Sequence, residues 1–275
     1  MKYLFVLLSL CLLFFAAWLL MMMPRLKKHP LTGRIHSFYY AHRGLHGGSV
    51  PENSLAAFDL AAKRGYGIEL DVHLSGDSNL PVIHDSSLLR TAGTQKYISD
   101  LTVSEIKSCF LEGTKEKIPL LEEVLEHIDS KVPLLIELKV DNNNVSKICE
   151  AVMAKLKKYR GDYAIQSFDP RVIRYFKKNY PCVMRGQLAG YLRRAGDRLN
   201  LLLDFGLRNL MSNFLTRPDF ISYRFSDIRS PAMFICRKLY RVTEFNWTLR
   251  SQNEADTALS NNAVPIFEDF APNKK

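Results

Sequence analysis

Two apolar stretches of this chain carry ionisable side chains at alternate positions. Glu69 and Asp71 lie two residues apart in the first stretch, and Glu137 and Lys139 repeat that spacing in the second. Because side chains alternate in a β-strand, the members of each pair share one face. Neighbouring carboxylates repel each other, so a strand that holds them inward requires a cation or a shared proton. Three carboxylates from two strands therefore predict an oxygen-rich site for one divalent cation, Mg²⁺ or Ca²⁺.

Two histidines lie at the ends of other predicted strands. His42 ends the strand predicted at residues 38–44, and His84 lies near the end of the strand predicted at residues 80–85. An imidazole can take a proton from a nucleophile or give one to a leaving group, and two imidazoles can do both. A single histidine is more often structural, but barrel enzymes keep their active sites at the carboxyl ends of strands. This placement favours a general acid/base pair.

Two cations stand beside these groups. Arg43 follows His42 directly and offers a planar fork that suits phosphate oxygens. Lys139 offers a compact point charge next to the predicted metal ligands. Both side chains are therefore candidates for holding a phosphate group.

The elements that must position these residues alternate regularly along the chain. The predicted strands are residues 38–44, 67–75, 80–85, 132–140, 163–168, 182–188, 220–224, 242–248 and 264–267. The predicted helices are residues 54–64, 101–110, 120–128, 145–159, 170–179, 231–239 and 254–261, and residues 191–217 are left unassigned. Alternation repeated about eight times predicts an α/β chain folded as a TIM (β/α)8 barrel rather than an open doubly wound sheet.

The N-terminus carries a long uncharged apolar run. Residues 3–23 hold no charge, and at about 1.5 Å per residue they reach about 32 Å, enough for a hydrocarbon core of about 30 Å. A cleaved signal peptide, the main alternative, has an apolar region of about 7–15 residues that ends at small residues. Bulky methionines stand there instead, at Met21, Met22 and Met23. We therefore expect a retained single transmembrane helix with a basic linker over residues 1–35, and a barrel domain over residues 36–275.

The charge distribution indicates on which side of the membrane the catalytic domain lies and which partners it binds. Arg25, Lys27 and Lys28 follow the apolar run, so the positive-inside rule predicts a cytoplasmic catalytic domain. Residues 36–150 carry a net charge of −6 and residues 151–250 a net charge of +13. The acidic block suggests a cation site, and the basic block suggests a face for an anionic membrane. RNP, KH and helix-turn-helix signatures are absent from the sequence, so we expect no nucleic-acid partner. The oligomeric state is not predicted.

Taken together, these motifs strongly resemble those of the glycerophosphodiester phosphodiesterase family. The specific motifs are His42-Arg43-Gly44, Pro51-Glu52-Asn53-Ser54, Glu69-Leu70-Asp71-Val72, His84-Asp85 and Glu137-Leu138-Lys139, supported by the weaker Ile118-Pro119, Gln166-Ser167-Phe168, Asn246-Trp247-Thr248 and Phe267-Glu268-Asp269. The resemblance covers residues 37 to 272 and implies a TIM barrel that uses one divalent metal. It implies metal ligands at Glu69, Asp71 and Glu137, a catalytic pair at His42 and His84, phosphate-binding cations at Arg43 and Lys139, and supporting or pocket residues at Glu52, Asp85 and Trp247.

The implied activity is metal-dependent hydrolysis of glycerophosphodiesters or lyso-phospholipids to glycerol 3-phosphate and an alcohol. One alternative is a lipid phosphodiesterase that cyclises its substrate and releases a cyclic phosphate, which product analysis distinguishes. A second alternative, from another class, is a membrane-tethered protein that binds phosphate or lipid without catalysis. The presence of all seven ionisable site residues argues against this second alternative.

Overall fold

The computed structural model describes residues 1–141, 143–191 and 200–273, and its central feature is a closed barrel of eight parallel strands. The strands follow one another in chain order, and the last pairs with the first. They are β1 Tyr40–Ala41, β2 Gly67–Val72, β3 Leu134–Leu138, β4 Tyr163–Ser167, β5 Arg185–Ala189, β6 Phe220–Arg224, β7 Thr243–Leu249 and β8 Ala263–Phe267. The predicted TIM barrel is confirmed.

Helices surround the barrel and one apolar helix precedes it. They are α1 Lys2–Met22, α2 Thr32–His36, α3 Leu55–Lys63, α4 Leu89–Ala92, α5 Val103–Lys107, α6 Leu121–Ile128, α7 Val145–Leu156, α8 Pro170–Asn179, α9 Leu201–Arg208, α10 Asn213–Thr216, α11 Pro231–Lys238 and α12 Gln252–Ser260. Helices α9 and α10 lie in the stretch that the sequence left unassigned, of which residues 192–199 are outside the described residues.

The prediction of a strand at residues 80–85 is wrong, because this segment is not part of the barrel. Within the long connection between β2 and β3, Val82 forms an isolated antiparallel bridge to Val72, and Pro81 forms one to Leu120. A buried apolar run gives the same sequence pattern whether it joins a sheet or a loop core. The connection has its own satellite core, whose members are Ile83, Leu88, Ile98, Leu101, Ile106, Leu111 and Ile118. His84 therefore projects from a folded connection rather than from a strand end.

Aromatic rings fill the barrel interior beneath the carboxyl ends of the strands. The Phe245 ring lies 4.8 Å from the Phe220 ring and 5.7 Å from the Tyr40 ring, centroid to centroid. At Gly186 on β5, an added Cβ would lie 2.0 Å from the Phe220 ring, so only glycine leaves room for it. This packed interior gives the site above it a rigid floor.

The segment between α1 and β1 packs against the barrel. Arg25 pairs with Asp219 at 3.0 Å, and the Tyr40 hydroxyl donates to the Ile35 carbonyl at 3.1 Å. Ile35, on α2, is fully buried in the interior cluster. Within α1 only Met22 is buried, and the helix is long and apolar enough to cross a membrane, a criterion that signal sequences also meet. The division into residues 1–35 and 36–275 stays a prediction.

Candidate active site

Three buried carboxylates meet where β2 and β3 end. In the barrel register, Asp71 on β2 stands beside Glu137 on β3, and Glu137 stands beside Gln166 on β4. Glu69 precedes Asp71 by two residues and shares its face. Ligand oxygens of Glu69, Asp71 and Glu137 all lie within 4.8 Å of one another. The strands thus bring the predicted ligand set together.

Two cations pair with these carboxylates. The Lys139 Nζ lies 2.6 Å from Glu137 Oε1 and 3.0 Å from Asp71 Oδ1. The Arg43 Nε lies 3.4 Å from Asp71 Oδ2, and the Arg43 backbone N–H donates to Glu69 Oε2 at 3.2 Å. Both predicted phosphate-binding side chains therefore also neutralise the acidic cluster.

The electrostatics of the cluster favour additional positive charge. Burial raises the pKa of Glu69 well above its ordinary value, and the neighbouring carboxylates Asp71 and Glu137 raise it further. Burial also raises the pKa of Glu137, although Lys139 opposes the shift. Burial alone would raise the pKa of Asp71 too, but cations led by Lys139 bring it well below its ordinary value. Without a further cation the cluster therefore tends to retain a proton.

The chemistry of the donor set fits a hard divalent cation. Carboxylate and amide oxygens are the ligands that Mg²⁺ and Ca²⁺ prefer. The Gln166 amide donates to Glu69 Oε1 at 3.1 Å, while its own buried oxygen accepts no hydrogen bond from any described residue. Asn53 donates to Asp71 Oδ2 at 3.0 Å and fixes that carboxylate. The cluster thus offers three carboxylates and one neutral oxygen.

A chain of ion pairs holds His84. Its Nδ1 lies 2.6 Å from Asp85 Oδ1, and the Arg90 Nε donates to Asp85 Oδ2 at 2.6 Å. Arg90 also donates to both oxygens of Glu52, at 2.6 and 3.0 Å, and Arg43 donates to the same carboxylate at 3.1 Å. Because the Asp85 carboxylate accepts, the His84 Nδ1 carries the proton and its Nε2 is left to accept one. Burial lowers the pKa of His84 to about 4, which keeps the ring neutral near pH 7.

His42 faces an acidic residue that directly follows the last strand. Its Nδ1 lies 3.6 Å from Glu268 Oε2, and the His46 Nε2 lies 3.5 Å from Glu268 Oε1. Arg250 donates to Glu268 Oε2 at 2.6 Å and fixes that carboxylate. Burial lowers the pKa of His42 although Glu268 opposes the shift. Glu268 is thus placed to orient the His42 ring.

A third histidine supports the backbone of His84. The His73 Nε2 lies 3.0 Å from the His84 carbonyl oxygen, and the His73 Nδ1 lies 2.6 Å from Asp141 Oδ2. His73 is almost fully buried. It therefore ties the connection that carries His84 to the end of β2 and to the loop after β3.

These groups surround one cavity of about 1110 Å³ at the carboxyl ends of the strands. Its mouth is aromatic and cationic. The Phe168 ring meets the Trp247 ring edge-on at 5.5 Å, and the Arg224 guanidinium lies 5.2 Å from the Trp247 ring centre. Trp247 also donates to the Ser222 carbonyl at 3.1 Å. The cavity combines a polar floor with an amphipathic rim, as small-molecule sites usually do.

Each of the ten predicted site residues lines this cavity or is bonded to a residue that does. Eight line it, namely His42, Arg43, Glu69, His84, Asp85, Glu137, Lys139 and Trp247, whereas Asp71 and Glu52 are buried and bonded to lining residues. The prediction missed His73, Arg90 and Glu268. His73 continues the alternation of Glu69 and Asp71, and Glu268 directly follows β8, so the sequence contained a signal for each.

The chain is similar to a known family and to several known proteins. Residues 42–271 match the model of the "Glycerophosphoryl diester phosphodiesterase family". The protein YhdW of Bacillus subtilis is 31% identical over 246 residues, covering 85% of this chain and 94% of that protein. Human lysophospholipase D GDPD1 is 35% identical over 150 residues, covering 50% of this chain and 47% of that protein.

A solved structure has the same fold. The structure of an Oleispira antarctica phosphodiesterase, in complex with the product sn-glycerol-3-phosphate, aligns with a TM-score of 0.71 and 23% identity. The alignment covers 86% of this chain and 94% of that chain. The shared architecture extends over nearly the whole barrel.

Proposed function

The chain belongs to the glycerophosphoryl diester phosphodiesterase family, a family of phosphoric diester hydrolases, and we propose that it hydrolyses glycerophosphodiesters to glycerol 3-phosphate and an alcohol. A lyso-phospholipid cleaved at the same bond would yield acylglycerol 3-phosphate and its headgroup alcohol. One observation carries the proposal: three buried carboxylates, two histidines and two cations converge on a single cavity at the carboxyl ends of the strands. This is the constellation that phosphodiester hydrolysis requires, namely charge neutralisation together with a proton acceptor and a proton donor.

Glu69, Asp71 and Glu137 would hold the divalent cation, Mg²⁺ or Ca²⁺. Their convergence and their shortage of balancing positive charge support this assignment. Bound there, the cation supplies Lewis-acid neutralisation of the phosphodiester charge. Gln166 and Asn53 would fix the carboxylates through the hydrogen bonds that they donate.

His42 and His84 would move the protons. One takes the proton of the nucleophile, either water or the glycerol hydroxyl next to the phosphate, and the other gives a proton to the departing alcohol. The lowered pKa of each ring supports the accepting role, because a neutral imidazole is required for it. Asp85 and Glu268 would keep the rings oriented, since each lies against an Nδ1 atom.

Arg43 and Lys139 would contact the phosphate oxygens. Both line the cavity, and both also contact the carboxylates that would bind the metal. A divalent cation in the acidic cluster would weaken those ion pairs and release part of each charge toward the substrate. Trp247 would line the pocket for one of the alcohol groups.

We further propose that α1 is retained as a single membrane span with the catalytic domain in the cytoplasm. The three cations after α1 support that side, and Arg25 is itself anchored to Asp219 of the barrel. Sequencing the N-terminus of the mature protein tests retention, because a cleaved signal peptide would remove Met1 to about residue 23.

Product analysis tests the proposed reaction. The full chain in detergent is incubated with glycerophosphocholine, glycerophosphoglycerol or a lyso-phospholipid, with Mg²⁺, Ca²⁺ or EDTA. We expect glycerol 3-phosphate and the free alcohol from the two soluble diesters, and acylglycerol 3-phosphate and the headgroup alcohol from the lyso-phospholipid. We expect this activity only where a divalent cation is present. A cyclic phosphate as the final product would contradict hydrolysis, and full activity in excess EDTA would contradict the metal assignment.

A further inference from the structure

Helix α9 turns its apolar side chains outward and its acidic side chain inward. Leu201 and Leu202 are 69% and 82% exposed, and Phe205 is 47% exposed, whereas Asp204 is only 5% exposed. A helix that faces water has the opposite arrangement, with its apolar stripe toward the core. The outer face of α9 is therefore built to meet an apolar phase.

The same side of the barrel carries most of the exposed apolar surface outside α1. Among the described residues after Leu20, thirteen large apolar side chains are exposed, and eight of them fall within residues 201–239. We call these eight the apolar flank: Leu201, Leu202, Leu203, Phe205, Phe214, Leu215, Phe234 and Leu239. Apolar side chains concentrated in this way mark a protein or membrane contact.

The candidate membrane helix ends on this flank. Asn213 of α10 donates to the Met22 carbonyl at 2.9 Å, and the Tyr240 hydroxyl donates to the Leu19 carbonyl at 2.7 Å. Met22 is fully buried in a cluster that also contains residues of α11. The helix that can cross a bilayer is thus fixed between α10 and α11, next to the apolar flank.

The neighbouring helices present positive charge. Exposed cations on and just after α7 and on α8 form a basic face, whose members are Lys147, Lys157, Lys158, Arg160, Arg171, Arg174 and Lys178. Helix α8 packs against α10, and Lys177 donates to the Leu215 carbonyl at 2.6 Å. Cations beside an apolar surface complement anionic lipid headgroups, which a second copy of this basic chain would not supply.

We propose that the apolar flank lies in the interfacial layer of a lipid bilayer and holds the mouth of the active site at that surface. The Arg208 guanidinium, at the end of α9, lies 5.0 Å from the Tyr191 ring centre. The Arg224 NH1 donates to the Tyr191 carbonyl at 3.5 Å, and Arg224 lines the cavity. A short chain of contacts therefore joins the flank to the cavity mouth. The inference rests on α1 as a retained anchor, and it gives the proposed lyso-phospholipid substrates a route from the lipid surface.

Fluorescence quenching in the full chain tests this placement. An environment-sensitive probe is attached at Leu202→Cys in a Cys11→Ser, Cys109→Ser and Cys182→Ser background, and the protein is reconstituted into phosphatidylcholine–phosphatidylglycerol vesicles. Cys149 and Cys236 are buried and are kept. We expect nitroxide-labelled lipids to quench the probe and aqueous iodide not to reach it, because interfacial helices bury their apolar face about 5–10 Å deep.

The matched control is Leu60→Cys, an exposed leucine on α3, which lies on the opposite side of the barrel. Its probe should show the reverse pattern. A Leu202→Cys probe that iodide reaches and lipid nitroxides do not quench would overturn the proposal. Protection from both quenchers that is lost on dilution would place a second copy of this chain on the flank, and would overturn it too.

Two further measurements test the apolar flank separately from the α1 anchor and from the proposed reaction. Flotation of vesicles that carry the variant with Leu201, Leu202 and Phe205 replaced by serine tests whether α1 anchors the chain without the apolar side chains of α9. Replacing Leu201, Leu202 and Phe205 by serine should lower the rate of hydrolysis of a vesicle-embedded lyso-phospholipid by about tenfold or more. The rate of hydrolysis of soluble glycerophosphocholine should not change. Equal rates on the embedded substrate would count against the flank, whereas absence of all hydrolysis in the parent chain would count against the proposed reaction.

Discussion

Replacing Lys139 by methionine should make the stability of the barrel depend on a divalent cation. Its Nζ lies 2.6 Å from Glu137 and 3.0 Å from Asp71, and its side chain is only 16% exposed. Methionine keeps the stem and removes the charge, which leaves both carboxylates without that partner. Breaking a buried ion pair on one side costs about 3–5 kcal/mol. Since about 1 kcal/mol moves the Tm of a domain of this size by about 2–4 °C, we expect a fall of about 10 °C in EDTA.

Added Mg²⁺ or Ca²⁺ should recover much of this loss. A ligand at 100 times its Kd stabilises the native state by about 2.7 kcal/mol. Without the neighbouring ammonium group to repel it, the cation should bind the variant at least as tightly as the parent chain. The rise in Tm from EDTA to saturating metal should therefore be larger in Lys139→Met than in the parent.

Thermal unfolding of the full chain in detergent, followed by circular dichroism, measures both effects. Lys63→Met is the matched control, because Lys63 forms an exposed pair with Asp59 and should change Tm little, with or without metal. The reasoning fails if Lys139→Met melts like the parent in EDTA. It also fails if metal raises the Tm of the two proteins equally.

Four more outcomes are expected. His42→Ala and His84→Ala should each lower turnover by a factor of about 10²–10⁴ without a comparable loss of Tm. The double variant should lose less turnover than the product of the two single factors. Near-parental turnover of either single variant would return that histidine to a structural role. Glu69→Gln should weaken metal binding measured by calorimetry, and excess metal should restore activity only in part. The free energy of unfolding should fall as pH drops from about 6.5 to about 4. The pKa of His84 is lowered to about 4 in the folded chain, so the unfolded chain takes up the proton first. His84→Gln should flatten this part of the plot of Tm against pH. Reversal of Lys147, Lys157 and Lys158 to glutamate should reduce the salt-sensitive rate on anionic vesicles but not on a soluble diester, and an unchanged vesicle rate would remove the basic face from membrane contact.

The sequence was most informative where a residue's role follows from its neighbours along the chain. Glu69 and Asp71 share a face because they lie two apart in a strand, and that geometry needs no tertiary information. Strands such as Phe220–Arg224 and helices such as Pro170–Asn179 were predicted at their observed bounds, because turn residues and caps mark both ends. Ser54 begins the helix predicted at residues 54–64, and its side chain caps α3 by accepting from the Ala57 backbone N–H at 3.1 Å.

Roles that depend on distant partners were missed or misplaced. Arg90 matters because it bridges Glu52 and Asp85, and nothing near it in the chain indicates either partner. Residues 80–85 have the composition of a buried strand, yet their burial comes from a satellite core. Helix α9 was not predicted from the sequence, because its apolar side chains do not form the core-facing stripe on which helix prediction relies.

The satellite core between β2 and β3 gives the catalytic centre two levels of stability. His84 and Asp85 belong to a connection that has its own set of packed aliphatic side chains, whereas the carboxylates belong to the barrel strands. Units that pack separately can open separately, at a lower free energy than the whole domain. Mild denaturant should therefore abolish turnover while the barrel amides are still protected from hydrogen exchange, and metal affinity should survive longer than catalysis. Such local opening would interrupt activity reversibly and leave the barrel folded.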